Sequence, residues 1–177
     1  SSQTNGCEST CTNATPGYTC SCPDNHTLNA DGLTCSATDS LVYATATFSS
    51  DWVTGTISFK NFGDKMLMHV DLAGLQHFDN TWHVHVEAVP DSGCGDTGGH
   101  YDPAGGKMAC PDGSECEAGD FSSLFGKFTT ATVDEYYIHD TLSVSGEFNV
   151  LGRSIVIHKG DGDRWVCASI VAAEEME

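Results

Sequence analysis

Nine cysteines occur in this 177-residue chain, and five of them fall within residues 1–36. Between Cys7, Cys11, Cys20, Cys22 and Cys35 lie turn-forming residues and almost no aliphatic side chains. Such a segment buries too little apolar surface to hold itself together, so cross-links must do so. Cysteine at this density points to an oxidising compartment. Asn13-Ala14-Thr15 and Asn25-His26-Thr27 are glycosylation acceptor triplets, in keeping with a secreted protein. The chain opens without a signal peptide and reads as a mature form whose targeting segment has been removed.

From about Leu41 the pattern changes. Leu41–Phe48, Val53–Phe59, Met66–Leu72, Trp82–Val86, Leu124–Thr129, Leu142–Phe148, Ser154–His158 and Trp165–Ile170 are rich in strand formers, with turn signals between them. These spacings predict an all-β domain over residues 37–177, an antiparallel sandwich or barrel of about eight short strands. Residues 90–122 form a Gly-rich gap holding three cysteines, and a loop of that length usually carries function. No apolar run is long enough to span a membrane, so no membrane insertion is expected. The formal net charge is −18 with only 7 Lys+Arg, which excludes nucleic acid and anionic lipid as partners, since both require clustered cations.

His83-Val84-His85 places two imidazoles two residues apart in a strand pattern, so both rings leave one face while Val84 points to the other. By itself the motif reads equally as half a metal site or as two surface histidines. It is followed by Gly93-Cys94, Gly98-Gly99-His100-Tyr101-Asp102-Pro103, Gly119-Asp120, Gly152-Arg153-Ser154-Ile155-Val156-Ile157-His158 and Arg164-Trp165-Val166-Cys167. This ordered set resembles the copper/zinc superoxide dismutase family across residues 41–170. The resemblance implies an eight-stranded Greek-key barrel and four copper ligands, His83, His85, His100 and His158. It further implies a disulfide between Cys94 and Cys167, and an active-site arginine, Arg164, that guides the superoxide anion. His100 would leave the reduced metal and relay a proton. Imidazoles suit copper in both oxidation states, and nitrogen-rich ligation argues against Mg or Ca.

The chain departs from that pattern twice. Counting from His100, the positions of the family's remaining zinc ligands fall at Met108, Glu117 and Asp120, and only the aspartate survives. A thioether and a carboxylate replace two imidazoles poorly in a tetrahedral site, so zinc is expected to be absent. Only Lys159–Asp163 separates His158 from Arg164, so the family's electrostatic loop is reduced to a tight turn and the copper should be more exposed. Both losses resemble the copper-only members. By that resemblance Glu117, with Asp120 beside it, supports His100 where zinc would otherwise sit, and such a carboxylate orients the ring and raises its basicity. Cys110 and Cys116 are read as a local disulfide stiffening the long loop. His26, His69, His77 and His139 match no motif and are taken as ordinary surface or core residues.

The first 36 residues resemble an EGF-like module that lacks its first cysteine. The family pairing then implies Cys7–Cys20 and Cys22–Cys35 and leaves Cys11 over, so that either the chain was cut from a longer one, or Cys11 pairs differently or with another chain, as in self-assembly. Asn13 and Tyr18 fit part of the calcium-binding pattern, but the acidic residues it needs are missing, so calcium is not expected there. The leading functional expectation is a secreted copper-only superoxide dismutase. The alternative is an extracellular structural or assembly protein, or a copper carrier, built on the same scaffold.

Overall fold

The computed structural model describes residues 6–14, 17–22, 26–37, 43–76 and 79–176. Thr15, Asn25, Leu41, Val42 and His77 lie outside the described residues, as do the side chains of His26 and Thr27. The chain divides into two units, Ser1–Leu41 and Val42–Glu177.

In the first unit β1 (Thr10–Asn13) pairs with β2 (Tyr18–Ser21), and β3 (His26–Leu28) pairs with β4 (Cys35–Ala37), both antiparallel. No described residue of this unit is buried. Its order comes from the disulfides Cys7–Cys20 and Cys22–Cys35 and from polar turns. At one such turn the Asp31 carboxylate accepts the Leu33 and Thr34 amides and the Thr34 hydroxyl. Asn13 is exposed on β1, and Cys11 is exposed opposite Cys20 in the ladder.

The second unit contains β5 (Tyr43–Ser49), β6 (Thr54–Phe62), β7 (Lys65–Ala73), β8 (Trp82–His85), β9 (Met108–Ala109), β10 (Glu115–Cys116), the one-turn helix α1 (Phe121–Phe125), β11 (Thr132–His139), β12 (Ser154–His158) and β13 (Arg164–Ala173). Seven strands form one antiparallel sheet in the order β11-β7-β6-β5-β13-β12-β8. Strict alternation drives the inner face: Ala44, Ala46 and Phe48 on β5, and Met66, Met68, Val70 and Leu72 on β7, are all buried. The sheet curls until its two edges meet through aromatic rings. Trp82 on β8 lies 5.7 Å from Tyr137 on β11 and stacks on Phe128 at 4.8 Å, centroid to centroid. The Trp82 indole N–H is satisfied by the Gly126 carbonyl at 2.9 Å.

Two expected strands are absent, and three unexpected ones are present in the second unit: the two-residue strands β9 and β10 and the long strand β11. Leu124–Thr129 begins instead as the end of α1, because the Asp120 carboxylate caps the Ser123 amide at 3.0 Å and bends the chain into a helical turn. Leu142–Phe148 is a connecting loop. Leu142 and Val144 are fully buried from it, and the Asn61 side chain takes the Val144 amide at 2.8 Å, so its apolar residues plug the core without a ladder. β11 carries only a faint sequence signal because it is an edge strand whose outward residues, Asp134, Tyr136 and Ile138, are exposed. The remaining six predicted strands coincide with β5, β6, β7, β8, β12 and β13.

Two disulfides brace the long loop. Cys110–Cys116 closes the small β9–β10 hairpin. Cys94–Cys167 ties the loop to β13 across 73 residues, a closure of a size that stabilises by about 4 kcal/mol in the chain-entropy account.

His139 closes β11 and belongs to the core, with 1% exposure. Burial pushes its imidazole below the ordinary histidine range, against smaller opposing effects from the Ala118 carbonyl and Asp140. The unfolded chain therefore binds this proton at a pH, near 6.5, where the folded protein does not. The stability tied to the neutral ring is complete above that pH and is lost as the pH falls below it. In metal-free protein, unfolding midpoints at pH 7.5 and 5.0 should differ more for the wild type than for His139→Gln; equal slopes would refute this.

Candidate metal centre

Four histidines converge where β8, β12 and the long loop meet. His83 and His85 leave the same face of β8, and His158 ends β12, which pairs with β8 along its length. His100 is carried by the loop, which runs back beside β8 to form a backbone bridge with His85. One ligating nitrogen from each ring lies within 4.8 Å of the other three. His83 and His158 are 7% exposed and His85 1%, whereas the side chain of His100 keeps 33% of its surface in solvent.

Each ring has one nitrogen committed to an oxygen. His85 Nδ1 donates to the Gly98 carbonyl at 3.0 Å, and His158 Nδ1 donates to the Gly162 carbonyl at 2.9 Å. His100 Nδ1 meets Glu117 Oε2 at 2.7 Å. His83 is turned the other way, with Nε2 3.4 Å from Asp120 Oδ1. Carbonyls and carboxylates only accept, so these nitrogens carry the protons and Nδ1 of His83 and Nε2 of the other three are bare. The consequence is visible twice. His83 Nδ1 is buried without a protein partner, and His85 Nε2 faces His158 Nε2 at 3.4 Å, lone pair against lone pair. Both arrangements are costly unless a cation or a hydrogen-bond donor engages the electron pairs, and a cation can engage all four at once. Four converging imidazole nitrogens with no carboxylate among them suit copper and do not suit Mg or Ca.

Electrostatics keep the rings ready to ligate. Burial pushes His85 down to about 4, with the nearby Arg164, His100 and His158 adding to it against the Gly98 bond. His158 is lowered in the same way, burial first. Burial would raise the Asp120 carboxyl, but its bonds with His83 and Ser123 outweigh that and hold it well below the ordinary carboxylate range.

Arg164, the first residue of β13, is fixed across the disulfide loop. Its Nη1 donates to the Cys94 carbonyl at 2.9 Å, to the Gly95 carbonyl and to Thr97 Oγ1 at 3.2 Å, and its Nη2 donates to the Gly98 carbonyl. Gly98 thus serves Arg164 and His85 together. The Lys159–Asp163 turn closes on itself, with the Lys159 amide on the Asp163 carbonyl at 2.8 Å, and it presents Gly162 to His158.

The three positions matched to zinc ligands are dispersed. Met108 opens β9, Glu117 faces His100 and Asp120 faces His83. The sequence reading set both carboxylates beside His100, but the structure divides them between two rings. It also supplies partners that the sequence did not suggest, the carbonyls of Gly98 and Gly162, which carry no side-chain signature. The two glycines beside His158 and His100 are the one trace of them.

The model of the family described as copper/zinc superoxide dismutase matches residues 53–168, well over half of the chain. The chain belongs to this family. It is 31% identical over 110 residues to an extracellular superoxide dismutase [Cu-Zn] of Caenorhabditis elegans, covering 62% of this chain and 49% of that protein. It is 38% identical over 105 residues to a cell surface Cu-only superoxide dismutase of Arthroderma benhamiae, covering 53% of this chain and 28% of that protein. The chain therefore spans half or less of the length of these two relatives. Among solved structures, the Cu(II) form of superoxide dismutase 5 from Candida albicans superposes with a TM-score of 0.67 at 28% identity, covering 76% of this chain and 94% of that one. No helix among the described residues is long and apolar enough to cross a membrane.

Gly119 sets the carboxylates in place. A Cβ there would stand 2.4 Å from the Tyr101 carbonyl oxygen and 3.0 Å from that of Val84, and Gly119 itself accepts the Val84 amide at 2.9 Å. The loop backbone thus lies directly against β8. Gly119→Ala should cost about 1–3 kcal/mol in denaturant unfolding, as overpacking does, because backbone must shift to admit the methyl group. An unchanged midpoint would show that the contact is slack.

Proposed function

We propose that this chain is an extracellular copper-only superoxide dismutase, converting two superoxide anions and two protons into O2 and H2O2. The observation that carries the reading is the Glu117 carboxylate 2.7 Å from His100 Nδ1. A histidine bridging two metals would give that nitrogen to the second ion. Here the carboxylate occupies it, and only Nε2 is left to ligate. His83, His85, His100 and His158 would hold the ion, and copper bound there would supply one-electron redox chemistry. The extracellular setting is supported by the names of the relatives and by four disulfides.

The protein residues divide the remaining work. Arg164 presents a guanidinium held by the Cys94–Thr97 loop, close enough to lower the proton affinity of His85 and His158, and it attracts and orients the anion. His100 is the most exposed of the four rings and is the one suited to hold and release a proton at Nε2. The Nδ1–H bond to Glu117 keeps its tautomer fixed while it does so. The charge of −18 opposes approach of the anion, so local steering by Arg164 has to overcome it. The first 36 residues fit an EGF-like module, a reading supported by the Cys7–Cys20 and Cys22–Cys35 bridges.

Metal content and superoxide decay measured on one sample test the reading. About one copper per chain, no zinc and decay far above the spontaneous rate are expected, on a site whose ligands are all imidazole. Copper without decay would leave a binding protein, and stoichiometric zinc would contradict the role given to Glu117. In the same assay Arg164→Met should lose about tenfold or more in rate at unchanged copper content, with a weaker response to ionic strength, as loss of local steering requires. A rate equal to the wild type would remove Arg164 from the mechanism.

A further inference from the structure

The segment bearing Glu117 and Asp120 is held from behind by one side chain. His139 Nε2 lies 2.8 Å from the Ala118 carbonyl, and His139 Nδ1 lies 3.0 Å from the amides of both Thr141 and Leu142. A carbonyl only accepts and an amide N–H only donates, so the ring is fixed as the tautomer with its proton on Nε2. The rings of Phe121 and Phe125 pack around it at 5.6 and 6.0 Å. Ala118 is fully buried and stands next to Glu117 and two residues before Asp120.

The bonds have separate purposes. Those at Nδ1 are local and cap the end of β11, as a buried histidine in any strand terminus would. The bond at Nε2 spans 21 residues, adds nothing to that cap, and fixes the depth of one peptide group in the loop. Depth matters because the side chain of Glu117 is 44% exposed. An exposed, flexible carboxylate stays 2.7 Å from His100 against competing water only if its backbone is anchored. Gly119 anchors one side of the segment on Val84, and His139 anchors the other.

We infer that His139 is a positioning residue for the metal centre, setting the reach of Glu117 to His100 and of Asp120 to His83 through the Ala118 peptide. The inference rests on the four-histidine copper reading. His139 touches neither the ligating histidines nor their bare nitrogens and acts through the loop alone.

Two substitutions separate the two ends of the ring. His139→Asn keeps an acceptor near the place of Nδ1 but cannot reach Ala118. His139→Gln keeps a donor near the place of Nε2 and loses the cap. Each protein is loaded with Cu(II), its affinity measured by chelator competition and its site by electron paramagnetic resonance. His139→Asn should bind copper about tenfold more weakly with an altered spectrum, the size seen when a ligand's supporting partner is lost, while His139→Gln stays within about twofold of the wild type. In a Glu117→Gln, Asp120→Asn background the loss caused by His139→Asn should fall to about twofold or less, since its effect passes through those carboxylates. Wild-type affinity in His139→Asn, an equal loss in His139→Gln, or a full loss persisting without the carboxylates would overturn the inference. Failure of His139→Asn to fold would also overturn it, by making the Ala118 bond a requirement of the fold. A wild type that binds no copper would refute the metal-centre reading, and this inference with it.

Discussion

Each clustered imidazole has one nitrogen bonded to a fixed oxygen, and the direction of the other nitrogen follows from that bond. Gly98, Gly162, Glu117 and Asp120 supply the four oxygens. Without them the rings could rotate, exchange tautomers and relieve one another's lone pairs. With them, four bare nitrogens converge in a largely buried space, an arrangement that a bound cation satisfies best. The curled sheet, the disulfide across 73 residues and the contact of Gly119 with β8 all serve to place those oxygens.

Much of this was legible in the sequence, for identifiable reasons. The period of two in a strand sends His83 and His85 to one face, and the strand pattern of residues 43–49, 54–62, 65–73, 154–158 and 164–173 is strong because one face of each is buried. His100 and His158 were legible only through the order of surrounding motifs, since nothing in a lone histidine says that it ligates. The segment Leu124–Thr129 reads as a strand because it is apolar, yet Phe125 packs near Trp82 from the end of a helical turn that the cap at Asp120 creates, and Phe128 stacks on Trp82 from the stretch beyond it. β11 was illegible for the opposite reason, as an edge strand with charged and aromatic residues outward.

The assignment of carboxylates to rings shows a different limit. Glu117 and Asp120 are three residues apart, and sequence spacing alone cannot say which histidine either reaches. That depends on how closely the intervening backbone lies against β8, a matter settled at Gly119 by two carbonyl oxygens with no room for a side chain. His139 carries no motif and stands apart from the ligands in sequence, so nothing in the sequence signals its bond to the Ala118 carbonyl beside Glu117.

The direct seating of Gly119 on Val84 has a consequence for traffic. With no side chain between loop and strand, the backbone on that side of the site has no intervening layer that could slide or swing, and the rings of His83, His85 and His158 are largely buried beside it. His83 and His158 are 7% exposed and His85 1%, so the solvent-facing edge of His100 is the most open approach to the four nitrogens. Exchange of a metal is therefore expected to depend on that ring more than on the other three.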